Sequence, residues 1–320
     1  MIVSEINYLE IIKTAARVTW RNKYLWWFGF FSLLSTISGN FFQVWSRGKN
    51  IQGQEVLDFT ASHEELVIFL ASLLLFLWVI FVVLGIIAKG GLIKSLKNAT
   101  ENKKFGLKNG LREGKKYFWK VFLIGAFSAV FILATLIVFM IPIGFLFYNK
   151  AYFLGGLLSL LAMVIFIPVL FLVSFIRIYA YFYVILSDLP LSEALENAYA
   201  LLRKNIVPSL IISLIFLVVG TLATVVAFLF IIPIIVIFFL IGTLLFFLAQ
   251  QVGILITALA GLTFMFLVMI FGGSIYQVFA QAILLLFFYE IATPKIKEEV
   301  EAEKIVELGP AHAPDPVVGN

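Results

Sequence analysis

The stretch SDLPLSEALENAYALLRKN, residues 187–205, has the composition of an amphipathic helix from a water-soluble protein. It is acidic near its start and ends in the basic pair Arg203 and Lys204. One apolar stripe recurs at helical spacing, formed by Leu191, Leu195, Ala198 and Leu202. The residues that follow, 205–289, contain no Lys, Arg, Asp, Glu or His. A polar helix that leads into such a sequence indicates a helix at a membrane surface, followed by membrane-spanning segments.

The composition of the whole chain supports this interpretation. Of the 320 residues, 62% are hydrophobic and 13% are charged, whereas charged residues make up about a quarter of a soluble protein. Transmembrane barrels have alternating segments of about 10 residues, and the apolar runs here are continuous. The chain has no Cys, which excludes disulfides and thiolate metal sites. The predicted fold class is therefore an all-α polytopic membrane bundle.

The apolar runs predict six membrane-spanning helices. They lie at about 24–44, 65–88, 118–146, 153–186, 206–231 and 252–289, and the segment 232–250 is ambiguous. Pro142, Pro168 and Pro233 are expected to kink or break the longer runs. Eight spans are the alternative, if residues 231–233 and 271–273 form turns. Residues 1–293 then make one integral membrane domain, and 294–320 a charged, partly disordered cytoplasmic tail.

The distribution of basic residues predicts the orientation of the chain. The segment 89–120 carries ten Lys or Arg against two Glu, and the first 23 residues carry four against two. The loop 45–64 carries two basic and three acidic residues. Because Lys and Arg are enriched in short cytoplasmic loops, we predict that both termini, 89–120 and 187–205 face the cytoplasm.

Three segments share one pattern, which predicts an amphipathic helix that ends in basic residues and leads into a span. They are residues 11–29, 106–125 and 194–212. We interpret them as the starts of three pseudo-repeats, at about 5–88, 103–186 and 191–290. Each repeat has an interfacial helix and a transmembrane hairpin. In the third repeat, Ser192 is the expected N-cap, and Leu195 and Leu202 are expected to be buried.

The run SFIRIYAYFYVILSDLPLSEALENAYALLRKNIVPSL, residues 174–210, resembles the core of the membrane domain of some bacterial glycerophosphodiester phosphodiesterases and its stand-alone relatives. The shared features are an Arg in a span (Arg177), the helix start at 186–195 and the polar helix that runs into the next span. TWRNKYLWWFGFF, residues 19–31, is typical of the stand-alone members. The catalytic barrel of those enzymes has no counterpart here. The resemblance thus implies an architecture in the bacterial inner membrane and no phosphodiesterase activity.

Arg177 is the candidate functional residue, because it lies well inside a predicted span. An ionisable group within the membrane costs about 2.5 kcal/mol or more and usually has a role. It anchors the helix at the interface, serves as a structural hydrogen-bond hub, or binds an anionic headgroup or substrate. Its polar neighbours by pattern are Tyr276, Gln277 and Gln281 in the last span, and we predict that Arg177 lies within side-chain reach of them.

Other polar or small-residue groups have simpler interpretations. His63, Glu64 and Glu65 resemble a metal cluster, but Ser62 and Glu65 form a plausible capping box, so no metal and no cofactor is predicted. The basic segment is predicted to contact anionic lipid headgroups and no nucleic acid; its residues are Lys103, Lys104, Lys108, Arg112, Lys115 and Lys116. A row of small residues indicates close helix packing or an oligomer interface; it comprises Gly253, Thr257 and Gly261.

Three classes of function are compatible with the sequence. The first is a non-enzymatic membrane protein that interacts with lipid or acts as a scaffold. The second is a transporter or flippase for an amphipathic or anionic molecule, for which internal repeats are typical. The third, a lipid-modifying enzyme, lacks recognisable catalytic groups. A transporter predicts a polar cavity around Arg177, and a scaffold predicts a filled interior.

Overall fold

The computed structural model describes residues 6–34, 64–103 and 105–307, with the backbone alone at 64, 248, 249 and 293–307. All the secondary structure in these residues is helical. Five of the helices are long and apolar enough to cross a membrane, as the continuous apolar runs predict. The protein is therefore an all-α, multi-pass membrane protein.

The described helices follow one another with short connections. The first seven are α1 (Tyr8–Arg21), α2 (Leu25–Leu34), α3 (Glu64–Thr100), α4 (Leu107–Lys116), α5 (Phe118–Tyr148), α6 (Tyr152–Leu186) and α7 (Leu191–Lys204). The remaining helical stretch, Ile206–Glu307, is interrupted at Gln250, where φ is 50° and ψ is −129°. We treat its two apolar parts as α8 (Ile206–Phe247) and α9 (Gln250–Ala292).

The structure resolves the ambiguity over residues 206–289. They form two long helices, so the segment 232–250 continues α8 to Phe247 and the eight-span alternative is wrong. Pro142, Pro168 and Pro233 all lie inside helices and end none of them, because a turn within hydrocarbon would leave more backbone groups unsatisfied than a proline does. Of the first predicted span, 24–44, residues 25–34 are helical and 35–44 lie outside the described residues.

The helix α3 corrects the predicted boundary between span and basic loop. The second span was predicted to end at residue 88, with a polar segment from 89 onwards. The helix continues without interruption to Thr100. Lys89, Lys94 and Lys97 are therefore helical residues, and the loop to α4 comprises only residues 101–106.

The buried core lies at one end of the bundle, where the three short helices α1, α4 and α7 pack onto the long ones. It contains the last turns of α3, α6 and α9 and the first turns of α5 and α8. Large side chains with less than 2% exposure fill it, among them Phe28, Tyr117, Tyr179, Phe182, Phe287 and Phe288. We call this the packed end of the molecule.

At the opposite end the long helices bury little surface. Large hydrophobic side chains are exposed along the first half of α3, most of α5, the first half of α6, and nearly all of α8 and α9 up to Phe271. Membrane helices expose such side chains to lipid, so this distribution is what a bilayer would solvate. We call this the open end.

Glycines set the distance between α3 and α4 at the packed end. A Cβ on Gly91 would lie 2.6 Å from the carbonyl oxygen of Gly110, and a Cβ on Gly114 would collide with the carbonyl oxygen of Ile87. Gly110 and Gly114 are four residues apart, the spacing that lets two helix backbones approach closely. The short basic helix α4 is thereby held directly against the backbone of α3.

The helix α7 differs from its predicted form at its start. It begins at Leu191, with Pro190 in the N-cap position and no side-chain capping hydrogen bond, so Ser192 is not the cap. Its buried residues are Ala194, Ala198, Leu201 and Leu202, and Leu195 is only half-buried. Leu202 is therefore buried as predicted, and alanines fill most of the rest of the buried face.

Candidate functional site

Arg177 lies on α6, nine residues before the helix ends at Leu186. At about 1.5 Å per residue, this places it roughly 14 Å from that end of the helix. Its side chain is partly buried. Its Nε atom is buried and has no hydrogen-bond partner among the residues that the structure describes, and no described carboxylate forms an ion pair with it.

A second cation, Lys89, faces Arg177 from α3. The Lys89 ammonium lies 4.5 Å from the centroid of the Tyr181 ring, and Tyr181 is one helical turn after Arg177 on α6. Because residues four apart lie on the same face of a helix, Arg177 and Tyr181 share the face of α6 that Lys89 contacts. No described residue forms an ion pair or a hydrogen bond with Lys89. The cation–π contact is thus its main polar stabilisation.

Tyr181 positions the pair between three helices. Its side chain is 4% exposed, and its hydroxyl oxygen would lie 3.2 Å from a Cβ on Gly125 of α5. A larger residue at Gly125 would push against this hydroxyl. The site therefore consists of two cations and one aromatic ring, from α3 and α6, with α5 as its third wall.

The other basic side chains nearby have partners, which distinguishes them from this pair. Lys94 donates a hydrogen bond to the carbonyl oxygen of Ile185 at 3.2 Å. Lys116 and Lys120 form ion pairs with Asp188 at 3.1 and 3.3 Å. Asp188 links the loop after α6 to α4 and α5, and its exposed charge is already neutralised by these two lysines.

The residues predicted to accompany Arg177 have other contacts. Gln277 Nε2 donates to Ser32 Oγ of α2 at 3.4 Å. Gln281 is buried, at 7% exposure, and the Tyr276 hydroxyl lies against Gly220 of α8. No hydrogen bond joins any of them to Arg177 in the described part of the chain.

Helical geometry accounts for the different partners of these residues. Tyr179 and Phe182 on α6 contact Phe288 of α9, and Tyr179 also contacts Ser209 of α8. Arg177 is two residues before Tyr179, about 200° around the helix, and shares the face of Tyr181 that meets α3. The residue that sequence reasoning missed is Lys89, which was counted in the basic loop.

The remaining predicted groups were located as follows. Gly253, Thr257 and Gly261 of α9 all contact α8 of the same chain, at Leu245, Gly242 and Phe238, which is the packing role predicted for them. Lys103, Lys108, Arg112, Lys115 and Lys116 are exposed at the packed end, whereas Lys104 lies outside the described residues. Ser62 of the predicted capping box and His63 also lie outside the described residues. The described residues contain no group able to hold a metal ion.

No family model, no curated protein and no solved structure matches this chain. The resemblance of residues 174–210 to the phosphodiesterase membrane domain stays a prediction.

Proposed function

We propose that this chain is a non-enzymatic, multi-pass membrane protein that binds an anionic lipid through Lys89 and Arg177. One observation carries the proposal: two cationic side chains, Lys89 of α3 and Arg177 of α6, lie on the helix surface around Tyr181, and no described carboxylate forms an ion pair with either of them. An unpaired charge away from water is costly, so a bound anion is the natural counter-charge.

The depth of the pair favours a lipid headgroup as that anion. Arg177 is 25 residues from Tyr152, where α6 begins at the open end, a distance of roughly 38 Å along the helix. This distance exceeds the ~30 Å of a typical hydrocarbon core, so Arg177 reaches the headgroup level near the packed end when Tyr152 lies at the opposite interface. Above it, towards the open end, exposed apolar side chains such as Val83, Phe127 and Leu172 offer a surface for acyl chains. A lipid can therefore present its phosphate to Arg177 while its chains remain in hydrocarbon.

The proposal includes an orientation and a repeat structure. The packed end, with the basic helix α4, would face the cytoplasm, in accordance with the enrichment of Lys and Arg there. The order of short helix followed by two long helices, in α4–α6 and again in α7–α9, supports three pseudo-repeats. The exposed basic side chains of α4 then contact anionic lipids as a diffuse second site.

A transporter or flippase is less well supported. Such a protein needs a polar path that reaches its substrate site. The cavity between α8 and α9, of about 570 Å³, is lined almost wholly by apolar side chains such as Ile234, Phe238 and Met265, and Arg177 is not part of its lining. This cavity suits hydrocarbon chains, which supports lipid binding.

Native mass spectrometry of the purified full chain tests the proposal. We expect wild-type protein to retain anionic phospholipid in preference to phosphatidylcholine, and Arg177→Gln or Lys89→Gln to lose most of this preference. Arg203→Gln and Lys204→Gln are matched controls, because they remove the same charges from exposed positions at the end of α7. If the Arg177 and Lys89 variants retain anionic lipid as well as these controls, the proposal is wrong.

A further inference from the structure

The charge of the site indicates which kind of anion it prefers. We infer that the Lys89–Arg177 site selects a phosphate monoester over a phosphate diester, so that its lipid ligand is one with a terminal phosphate headgroup. This inference rests on the proposed function, since it specifies the ligand of the same site.

Phosphate monoesters and diesters differ in the number of negative charges that they carry. A phosphate monoester carries about −1.5 to −2 at neutral pH, because its second pKa is about 6, whereas a diester carries one negative charge. Lys89 and Arg177 together carry two positive charges. A diester would leave one of them uncompensated away from water, and a monoester would neutralise both.

The hydrogen-bond donors of the site lead to the same ligand. Arg177 has an unpartnered Nε, and a guanidinium binds two phosphate oxygens at once through its planar fork. The ammonium of Lys89 is held over the Tyr181 ring and provides donors from the α3 side. A monoester has three terminal oxygens, enough to accept from both cations at once, whereas a diester has only two that are unsubstituted.

The surroundings of the site add no competing negative charge. The basic residue of α5 is Lys120, and its ammonium forms an ion pair with Asp188. On α6, Tyr181 contributes a neutral hydroxyl. In the part of the chain that the structure describes, the carboxylate of Asp188 is engaged by Lys116 and Lys120, so it does not neutralise Arg177 in place of a ligand.

A terminal phosphate can come from a lipid or from a small soluble molecule, and the experiment separates the two. The full chain in detergent is titrated with phosphatidate, phosphatidylglycerol or phosphatidylcholine, or with glycerol 3-phosphate or inorganic phosphate. The midpoint of thermal unfolding reports binding. We expect phosphatidate to bind at least about tenfold more tightly than phosphatidylglycerol at pH 7.5. We expect this preference to shrink at pH 5.5, below the second pKa of the phosphate.

Each outcome decides a specific point. Stabilisation by glycerol 3-phosphate or inorganic phosphate as strong as that by phosphatidate supports the phosphomonoester preference and assigns a soluble source. Equal binding of phosphatidate and phosphatidylglycerol, lost in Arg177→Gln and Lys89→Gln, overturns the inference and leaves the proposed function intact. Lipid binding that is insensitive to both Arg177→Gln and Lys89→Gln overturns the inference and the proposed function together. The wild-type comparison of the two lipids needs no variant to fold.

Discussion

Tyr179 and Ser209 are joined by a buried hydrogen bond of 2.7 Å between their hydroxyl groups. Ser209 Oγ also donates to the carbonyl oxygen of Asn205 at 2.7 Å, so its own proton is in use and Tyr179 donates to it. Both side chains are completely buried. This bond connects α6 to the first turn of α8, and thus links the helix pair α5–α6 to the pair α8–α9.

Removing either hydroxyl should destabilise the protein, but not equally. Tyr179→Phe deletes the donor and leaves Ser209 bonded to Asn205, at a cost of about 0.5–1.5 kcal/mol. Ser209→Ala leaves a buried phenol without its acceptor, at about 1–3 kcal/mol. Thermal or denaturant unfolding in detergent measures both, and the double variant should cost no more than Ser209→Ala alone. Additive costs would show that the two hydroxyls do not interact.

The close approach of α3 to α4 should not tolerate a side chain at Gly91. In Gly91→Ala, the new Cβ would meet the Gly110 carbonyl oxygen at 2.6 Å, and a backbone atom cannot move aside cheaply. We expect a loss of about 1–3 kcal/mol in unfolding free energy. Gly156→Ala is the control, because nothing lies within 4 Å of its Cβ; it should be neutral or stabilising. Equal stability of the two variants would contradict the packing.

The Asp188 ion pairs should make stability depend on pH at acidic values. The hydrogen bond from Lys116 is the main cause that holds the pKa of Asp188 below its ordinary value of 3.8. The folded protein therefore binds this proton less readily than the unfolded chain does. The stabilisation is complete above about pH 4 and disappears as the pH falls through the lowered pKa of the folded state.

Asp188→Asn isolates that charge effect, because Asn also tolerates the positive φ of 55° at this position. We expect its melting temperature to be slightly below that of wild type at pH 7, and the difference to shrink as the pH falls below about 4. High salt should narrow the difference at pH 7, since the side chains are exposed and screened. A constant difference from pH 7 to pH 3 would contradict the role of the carboxylate.

Single cysteines can test the docking of α7, because the chain has no Cys of its own. Glu196 is exposed, and Leu202 is 1% exposed. A water-soluble maleimide should label Glu196→Cys rapidly and Leu202→Cys slowly, by a factor of about ten or more if labelling needs the helix to undock. Similar rates at both positions would mean that α7 is not held on the core by this face.

The orientation of the bundle can be tested with the same reagent on intact cells. Lys115 lies at the packed end, and Asn149 lies in the turn between α5 and α6 at the open end, both exposed. Asn149→Cys should react with an impermeant maleimide from outside, and Lys115→Cys only after the membrane is opened. The reverse pattern would place the packed end outside and contradict the prediction from the basic residues.

The sequence was sufficient to locate most of the long helices. Continuous apolar runs predicted spans at 118–146 and 153–186, and the helices are Phe118–Tyr148 and Tyr152–Leu186, because hydrocarbon requires unbroken helical hydrogen bonding. The same requirement explains how the ambiguity at 232–250 is resolved. Pro233 indicates a break locally, but the apolar residues on both sides offer no water for a turn, so the helix continues.

The candidate site could be predicted only in part. Arg177 stands out because it interrupts an apolar run, whereas Lys89 is the first of many basic residues and gives no such signal. Its significance arises from the packing of α3 on α6, which places its ammonium over Tyr181. Likewise, the polarity of Gln277 was evident, but its partner Ser32 is distant in the sequence. Side-chain pairs of this kind follow from tertiary packing, which periodicity does not encode.

The lengths of α8 and α9 have a consequence for the bilayer. They comprise 42 and 43 residues, so each is roughly 63 Å long, about twice the 30 Å of hydrocarbon. To remain within it, the hairpin would have to lean by roughly 60° from the bilayer normal, beyond the usual limit of about 40°. Tilt alone is therefore insufficient, and the surrounding leaflets must thicken towards the open end. Because of this hydrophobic mismatch, the energy of the hairpin in the bilayer depends on acyl-chain length. The tilt angle of the molecule therefore differs between thin and thick membranes.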